Sequence, residues 1–245
     1  MKVMNYIEEK VKSGKMHMTL IDPADQEPRN AAKIAEEAMR AGTDAIMIGG
    51  STGITKEDMD KTIVEIKKKV KLPVIIFPNS ASVLSPHADA LYFMSLLNSE
   101  SIEMIIGHQV RGAPFVKKMG IEPIPMGYII IEPGMTVGRV GRARLIRRDR
   151  PQDAVAYALA AQYLGMKFVY LEAGSGAPEP VPPEMIAMVK SEISIPLIVG
   201  GGIRTPEMAK RAVDSGADIV VTGTIVEEVD DIYSALSDII NAVKS

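Results

Sequence analysis

The sequence predicts an α/β fold, a closed TIM-type (β/α)8 barrel of parallel strands. Short apolar runs that read as buried strands alternate with amphipathic helix patterns along the chain. Eight such runs are present, and the length of 245 residues is close to the usual size of one barrel, about 250. Eight strands in one domain-sized chain favour closure over a doubly wound open sheet. No linker or low-complexity tract interrupts the pattern, so residues 1–245 are expected to form a single domain.

The elements follow in order. Residues 3–13 read as an amphipathic helix ended by Gly14, and 17–21 as a first strand closed by Asp22-Pro23. A helix over 30–40 stops at Gly42, and a second strand over 44–48 runs into Gly49-Gly-Ser-Thr-Gly53. A charged helix over 56–70 leads to the third strand, 72–77. Residues 78–89 carry Asn, Ser and Pro and no helical period, so the helix after strand 3 is replaced by an irregular segment. The fourth strand begins at 90–94, a helix spans 100–119 despite Gly107 and Gly112, and the fifth strand lies within 123–131. Residues 134–150 read as a basic loop with a short hairpin, carrying Arg139, Arg142, Arg144, Arg147, Arg148 and Arg150. A solvated loop or a subunit contact is favoured there over a clamp on an anionic substrate. Then come a helix over 152–164, a strand over 167–171 and a helix over 183–191. Strand 7 runs into Gly200-Gly-Gly202-Ile-Arg204, a helix follows over 207–215, strand 8 runs into Gly223-Thr224, and a last helix covers 230–243.

Composition narrows the function. Aromatic residues are 4% of the chain and Trp is absent, so the core must be aliphatic and rich in Met. A net charge of −3 argues against general nucleic-acid binding. Without cysteine there is neither a disulfide framework nor thiolate chemistry. The charged first ten residues do not read as a signal peptide, and no apolar run reaches the roughly 18 residues of a spanning helix. A cytoplasmic protein is expected, with contact to a membrane surface left open.

In barrels of this kind chemistry sits at the C-terminal strand ends. The glycines after strands 7 and 8 let backbone N–H groups approach an anion, which predicts a ligand phosphate. Strand 6 ends in Tyr170-Leu-Glu172-Ala-Gly174-Ser-Gly176, the densest group of polar and glycine residues. Alternation places Tyr170 and Glu172 on one side. A carboxylate beside a phosphate site repels it, which suits a general base for a ligand hydroxyl; the competing reading is a glutamate held by hydrogen bonds at the rim. Asp22 and Ser51 end adjacent strands. With ligand phosphate oxygens they are a set Mg²⁺ could take, and turn capping by Asp22 stands beside that reading. Residues 78–89 could open an apolar groove using Phe77, Leu84, Tyr92 and Phe93, which equally suit ordinary core. His17 starts strand 1 and reads as structural; His87 and His108 have no metal spacing.

Over nearly its whole length the chain resembles the geranylgeranylglyceryl phosphate synthases of archaeal lipid synthesis. The resemblance is carried by Leu20-Ile-Asp22-Pro23, Gly42-Thr-Asp44-Ala-Ile-Met-Ile-Gly49-Gly-Ser51, Tyr92-Phe-Met-Ser-Leu-Leu-Asn98-Ser, Gly127-Tyr-Ile-Ile-Ile131, the strand 6 motif, Gly200-Gly-Gly202-Ile-Arg and Val221-Thr-Gly223-Thr. It implies transfer of a geranylgeranyl group from its diphosphate to sn-glycerol 1-phosphate. It assigns Tyr170, Leu171, Glu172, Ala173, Gly174, Ser175, Gly176, Gly201, Gly202, Gly223 and Thr224 to the glycerol phosphate, with Glu172 and Tyr170 as the catalytic pair. It gives Mg²⁺ to Asp22 and Ser51, and it implies a homo-oligomer built from dimers, up to a hexamer. One departure is Leu20, where bacterial relatives carry Lys, so another cation must meet the donor diphosphate. The Asp-rich motif of all-helical prenyltransferases is absent. Rival readings are another phosphate-binding barrel enzyme (isomerase, aldolase or synthase) and a non-catalytic sensor of a phosphorylated metabolite; the sensor leaves Glu172, Asp22 and Ser51 without work.

Overall fold

The structure, a computed structural model, describes residues 2–50 and 52–245, apart from the side chains of Glu227 and Glu228. Its strands are β1 (Met16–Ile21), β2 (Ala45–Ile48), β3 (Val74–Ile76), β4 (Ala90–Leu96), β5 (Glu122–Ile130), β6 (Phe168–Glu172), β7 (Leu197–Gly200) and β8 (Ile219–Thr222). They form one closed parallel barrel in sequence order, with β8 pairing back onto β1. The helices are α1 (Val3–Ser13), α2 (Pro28–Ala41), α3 (Lys56–Lys69), α4 (His108–Met119), α5 (Met135–Val140), α6 (Pro151–Tyr163), α7 (Pro183–Glu192), α8 (Pro206–Asp214), α9 (Ile225–Glu228) and α10 (Ile232–Lys244).

Local chemistry explains the boundaries. Thr55 and Asp58 close a capping box on α3, and Pro28 and Pro206 open α2 and α8, where a missing N–H costs nothing. Strand alternation splits the apolar residues into two layers. Met18, Met126, Phe168, Tyr170 and Ile198 fill the barrel interior, with Val3 and Ile7 of α1 packed against the same cluster. Leu171, Val199, Ile46 and Ile48 face the helices. The expected aliphatic, Met-filled core is present, around a chain of aromatic contacts: Phe77 to Tyr128 at 5.3 Å and Tyr128 to Tyr170 at 5.2 Å between ring centres.

Two stretches depart from a regular barrel. After β3 there is one 3₁₀ turn, Ala81–Val83, as the irregular segment predicts. The helix expected over 100–119 opens instead as a π turn, Glu103–Gly107, and continues as α4. The basic stretch after β5 is corrected as well. It holds α5, not a hairpin, and is tied down by isolated bridges Ser99–Ala143 and Ile131–Ile146. Its apolar residues Val137 and Leu145 pack on the interior cluster, burial that a reading of its arginines alone could not anticipate. The four-residue α9 after β8 also escaped prediction, being too short to show a period.

Candidate active site

The end of β6 is the centre of the mouth. Glu172 is 6% exposed, and the Gly174 N–H donates to its Oε1 at 2.6 Å. Burial raises the Glu172 carboxyl above its ordinary value; the Gly174 N–H and the hydroxyls of Tyr170 and Tyr128 pull it back down in part. Both tyrosines are pushed well up by burial and by the Glu172 charge, so they stay neutral donors beside it. The packing demands glycine at Gly201: a Cβ there would stand 2.2 Å from Glu172 Oε1 and 2.6 Å from the Gly174 nitrogen, and φ is +82°. The resulting carboxylate is shielded, basic and fixed in direction.

The loops after β6, β7 and β8 converge on this carboxylate. Ser175 and Thr224 hydroxyls are 3.0 Å apart, joining the strand 6 and strand 8 loops. Gly223 and Thr224 line the same cavity as Glu172 and Ser175, and Thr224 precedes α9. Gly202 lies against the 177–179 backbone, with a Cβ position 2.9 Å from the Ala177 carbonyl oxygen. Gly174 and Gly176 have φ of +101° and +74°. The side chains of Leu171 and Ala173 belong to the layer between strands and helices, so these two positions can offer a ligand backbone atoms alone. Tyr170 is 1% exposed and packs toward Gly200, beneath the mouth.

Asp22 sits across the barrel from β6. A Cβ on Gly50 would lie 1.6 Å from its Oδ2, so the carboxyl rests directly on the end of β2. Burial raises Asp22 to about 6, against an opposing hydrogen bond from the Ala24 N–H (2.9 Å). Ser51 lies outside the described residues. Among the described residues no group of three or more His, Cys, Asp or Glu side chains could cage a metal. Asp22 offers one carboxylate at the mouth, and Mg²⁺ commonly takes one or two carboxylates with substrate phosphates and water as its remaining ligands.

A cavity of about 190 Å³ runs from Glu172, Asp22 and Thr224 toward β3, β4 and α4. Phe77, Leu84, Tyr92 and Phe93 all line it, but Tyr92, Leu84 and Phe77 are also buried in the core, so both readings hold for them, and Phe93 is the one that is only partly buried. Its far wall is Leu91, Gly112 and Val116. Leu20 stands at the rim beside Gly223. Sequence reasoning missed Tyr128, His108, Gln109, Val137 and Val140 as lining residues. Tyr128 had a usable signal: it is a rare aromatic, paired in register with Tyr170 on the next strand. The others reach the cavity through tertiary folding of the π turn and the insert. His17 is structural, as expected, buried with its ring nitrogens 2.9 Å from the hydroxyls of Thr43 and Thr222.

A family model described as the PcrB family matches residues 4–243. The chain belongs to the PcrB family. Among curated members, the geranylgeranylglyceryl phosphate synthase of Thermococcus gammatolerans is 59% identical over 234 residues, covering 96% of this chain and 93% of that protein. The enzyme of the same name from Thermoplasma volcanium is 54% identical, covering 100% of this chain and 97% of that protein. Among solved structures, (S)-3-O-geranylgeranylglyceryl phosphate synthase from Thermoplasma acidophilum, in complex with its substrate sn-glycerol-1-phosphate, superposes with a TM-score of 0.97. It is 54% identical and covers 100% of this chain and 99% of that one. This PcrB-family chain therefore shares both fold and sequence with proteins carrying that name, across its full barrel.

Proposed function

We infer that this protein joins sn-glycerol 1-phosphate to geranylgeranyl diphosphate, forming geranylgeranylglyceryl phosphate and releasing diphosphate. The observation that carries the reading is the meeting, in one cavity, of a buried carboxylate, the strand-end loop residues Ser175, Gly223 and Thr224, and an apolar wall, in a chain 54% identical to an enzyme holding sn-glycerol-1-phosphate. The acceptor phosphate is assigned to the backbone N–H groups around Gly174 to Gly176, Gly201, Gly202, Gly223 and Thr224. That leaves the glycerol hydroxyl toward Glu172. The bond from prenyl C1 to the diphosphate oxygen breaks, and its electron pair leaves with diphosphate. The acceptor oxygen bonds to C1, and its proton goes to Glu172. Holding the two reactants in line supplies much of the rate.

Asp22, with Ser51 next to it in the assignment, would hold Mg²⁺. Bound there, the ion supplies charge neutralisation for the departing diphosphate. The apolar wall formed by Leu84, Leu91, Phe93, Gly112 and Val116 takes the prenyl tail, excluding water from the allylic carbon. Among the described residues no helix is long and apolar enough to cross a membrane. We place the enzyme in the cytosol, as one domain per chain assembled into dimer-based homo-oligomers, a state that sedimentation analysis reads directly.

The test is incubation with labelled glycerol 1-phosphate or glycerol 3-phosphate and a ladder of prenyl diphosphates, with and without Mg²⁺. A lipid-soluble product is expected from glycerol 1-phosphate and the geranylgeranyl donor in the presence of Mg²⁺. Absence of product from every combination overturns the reading.

A further inference from the structure

The donor side poses a charge problem. Among the described residues lining the cavity, the carboxyls are Asp22, Asp25 and Glu172, and none is Lys or Arg. A prenyl diphosphate brings further negative charge into that space. Among the described lining residues the amide nitrogens of Asn79 and Gln109 donate to the Gly50 and Met94 carbonyls, and His108 is the one ring that can offer a nitrogen-bound proton to an anion. We propose that His108 is a donor-binding residue whose Nε2 hydrogen-bonds the diphosphate of the prenyl substrate, and that Glu103 and Arg111 are its positioning residues. The proposal rests on the transfer reaction inferred above.

Placement on α4 supports it. Met104, His108, Gly112 and Val116 recur every fourth residue and all line the cavity, so they form one ridge. The helix starts just beyond the C-terminal end of β4, at the barrel mouth, and descends from there. His108 is thus the polar group above an apolar floor of Gly112 and Val116. A prenyl diphosphate has the same order, a charged head followed by a hydrocarbon tail.

The ring is also held in one orientation. Arg111 pairs with Glu103 through both guanidinium nitrogens, the NH1 to Oε2 distance being 2.9 Å. Arg111 NH2 lies 3.2 Å from His108 Nδ1, and Glu103 Oε1 lies 3.6 Å from the same nitrogen. Arginine can only donate, so the Arg111 contact makes Nδ1 an acceptor and puts the ring proton on Nε2. Nε2 has no hydrogen-bond partner among the described residues. The π turn makes this arrangement: it brings Glu103 over Gly107, where a Cβ would stand 2.6 Å from both carboxylate oxygens. Single π turns are rare and cluster at functional sites. A surface ion pair alone would need neither the π turn nor a histidine facing the cavity.

The experiment uses the full chain and its His108→Ala, His108→Gln and Glu103→Ala variants, with folding checked by circular dichroism. Initial rates are measured against each substrate, together with competitive inhibition by inorganic pyrophosphate and its calorimetric binding in the presence of Mg²⁺. His108→Ala is expected to raise the donor KM and the pyrophosphate inhibition constant about tenfold, as for loss of a hydrogen bond to a charged group. The KM for glycerol 1-phosphate should stay within about twofold. His108→Gln, whose amide nitrogen can stand near Nε2, should recover part of the loss. Glu103→Ala should raise the donor KM less, and add nothing when combined with His108→Ala. Unchanged donor KM and pyrophosphate binding in folded His108→Ala, or an equal rise in both KM values, overturns the role of His108. Additive losses in the double variant overturn the positioning role of Glu103. If the wild-type chain forms no product, the transfer reaction falls, and pyrophosphate calorimetry still decides whether His108 binds a diphosphate.

Discussion

The two ends of the cavity are built by different means. Around Glu172 the wall is strand ends and glycine loops, with Gly201 packed so closely that no side chain fits between it and the carboxylate. Around Leu84 and Gly112 the wall is a 3₁₀ turn and a helix, and the contacts are ordinary: a Cβ on Gly112 would sit 3.6 Å from Ala81 and Leu84. The first region fixes atoms to fractions of an ångström, as a proton transfer requires. The second only has to be apolar and long. Substitutions at the first should therefore act on chemistry and acceptor binding, and those at the second on the choice of donor.

The largest effect is expected from Glu172→Gln. Turnover should fall by about 10²- to 10⁴-fold, the usual worth of a general base, while calorimetry shows glycerol 1-phosphate still bound. Normal turnover in this variant would remove Glu172 as the base. Because burial raises the carboxyl, the acid limb of kcat should lie above the ordinary Glu value of 4.5, with activity lost as pH falls through it. A limb at or below 4.5 would mean the carboxylate is better solvated than its 6% exposure implies.

Gly201→Ala comes next. The added methyl meets Glu172 Oε1 at 2.2 Å in a left-handed backbone, so the carboxylate must move. A loss of about 10²-fold in kcat/KM is expected, of the size that misplacement by an ångström produces. An unaffected variant would erase the distinction between the two ends.

At the apolar end, Gly112→Leu should raise the KM for the geranylgeranyl donor about tenfold by overfilling the groove. Shorter prenyl diphosphates should suffer less, and the KM for glycerol 1-phosphate should hold. A uniform loss across donor lengths would show that the tail lies elsewhere.

The smallest effect on activity is expected away from both ends, at His17. Burial holds its ring at about 3 instead of 6.5, so the fold favours the neutral form. Stability should be full above 6.5 and decline as pH falls toward 3, at up to about 1.4 kcal/mol per pH unit. Denaturant unfolding across that window reads it, and His17→Asn should flatten the slope while leaving both KM values alone.

Much of this is legible in the sequence. The strand count, the glycine loops and the strand 6 motif are local features, since a buried strand must be apolar and a tight turn must carry glycine. Glu172, Ser175, Gly223 and Thr224 line one mouth, with Gly174 bonded to Glu172, because every parallel strand end of a closed barrel faces the same way. By itself the sequence determined the barrel, the polar rim and the chain's resemblance to its family. The tertiary structure decided the donor side. Residues 103–107 read as plain helix, residues 134–150 as a basic loop, and Tyr128 stood in a family motif with no role assigned to it. Their places around the cavity depend on contacts distant in sequence: Tyr128 against Phe77 and Tyr170, Leu145 against Gly134, and Arg111 across the π turn to Glu103. Periodicity records which face of an element is buried, and such contacts depend on which neighbour the closed barrel brings against it.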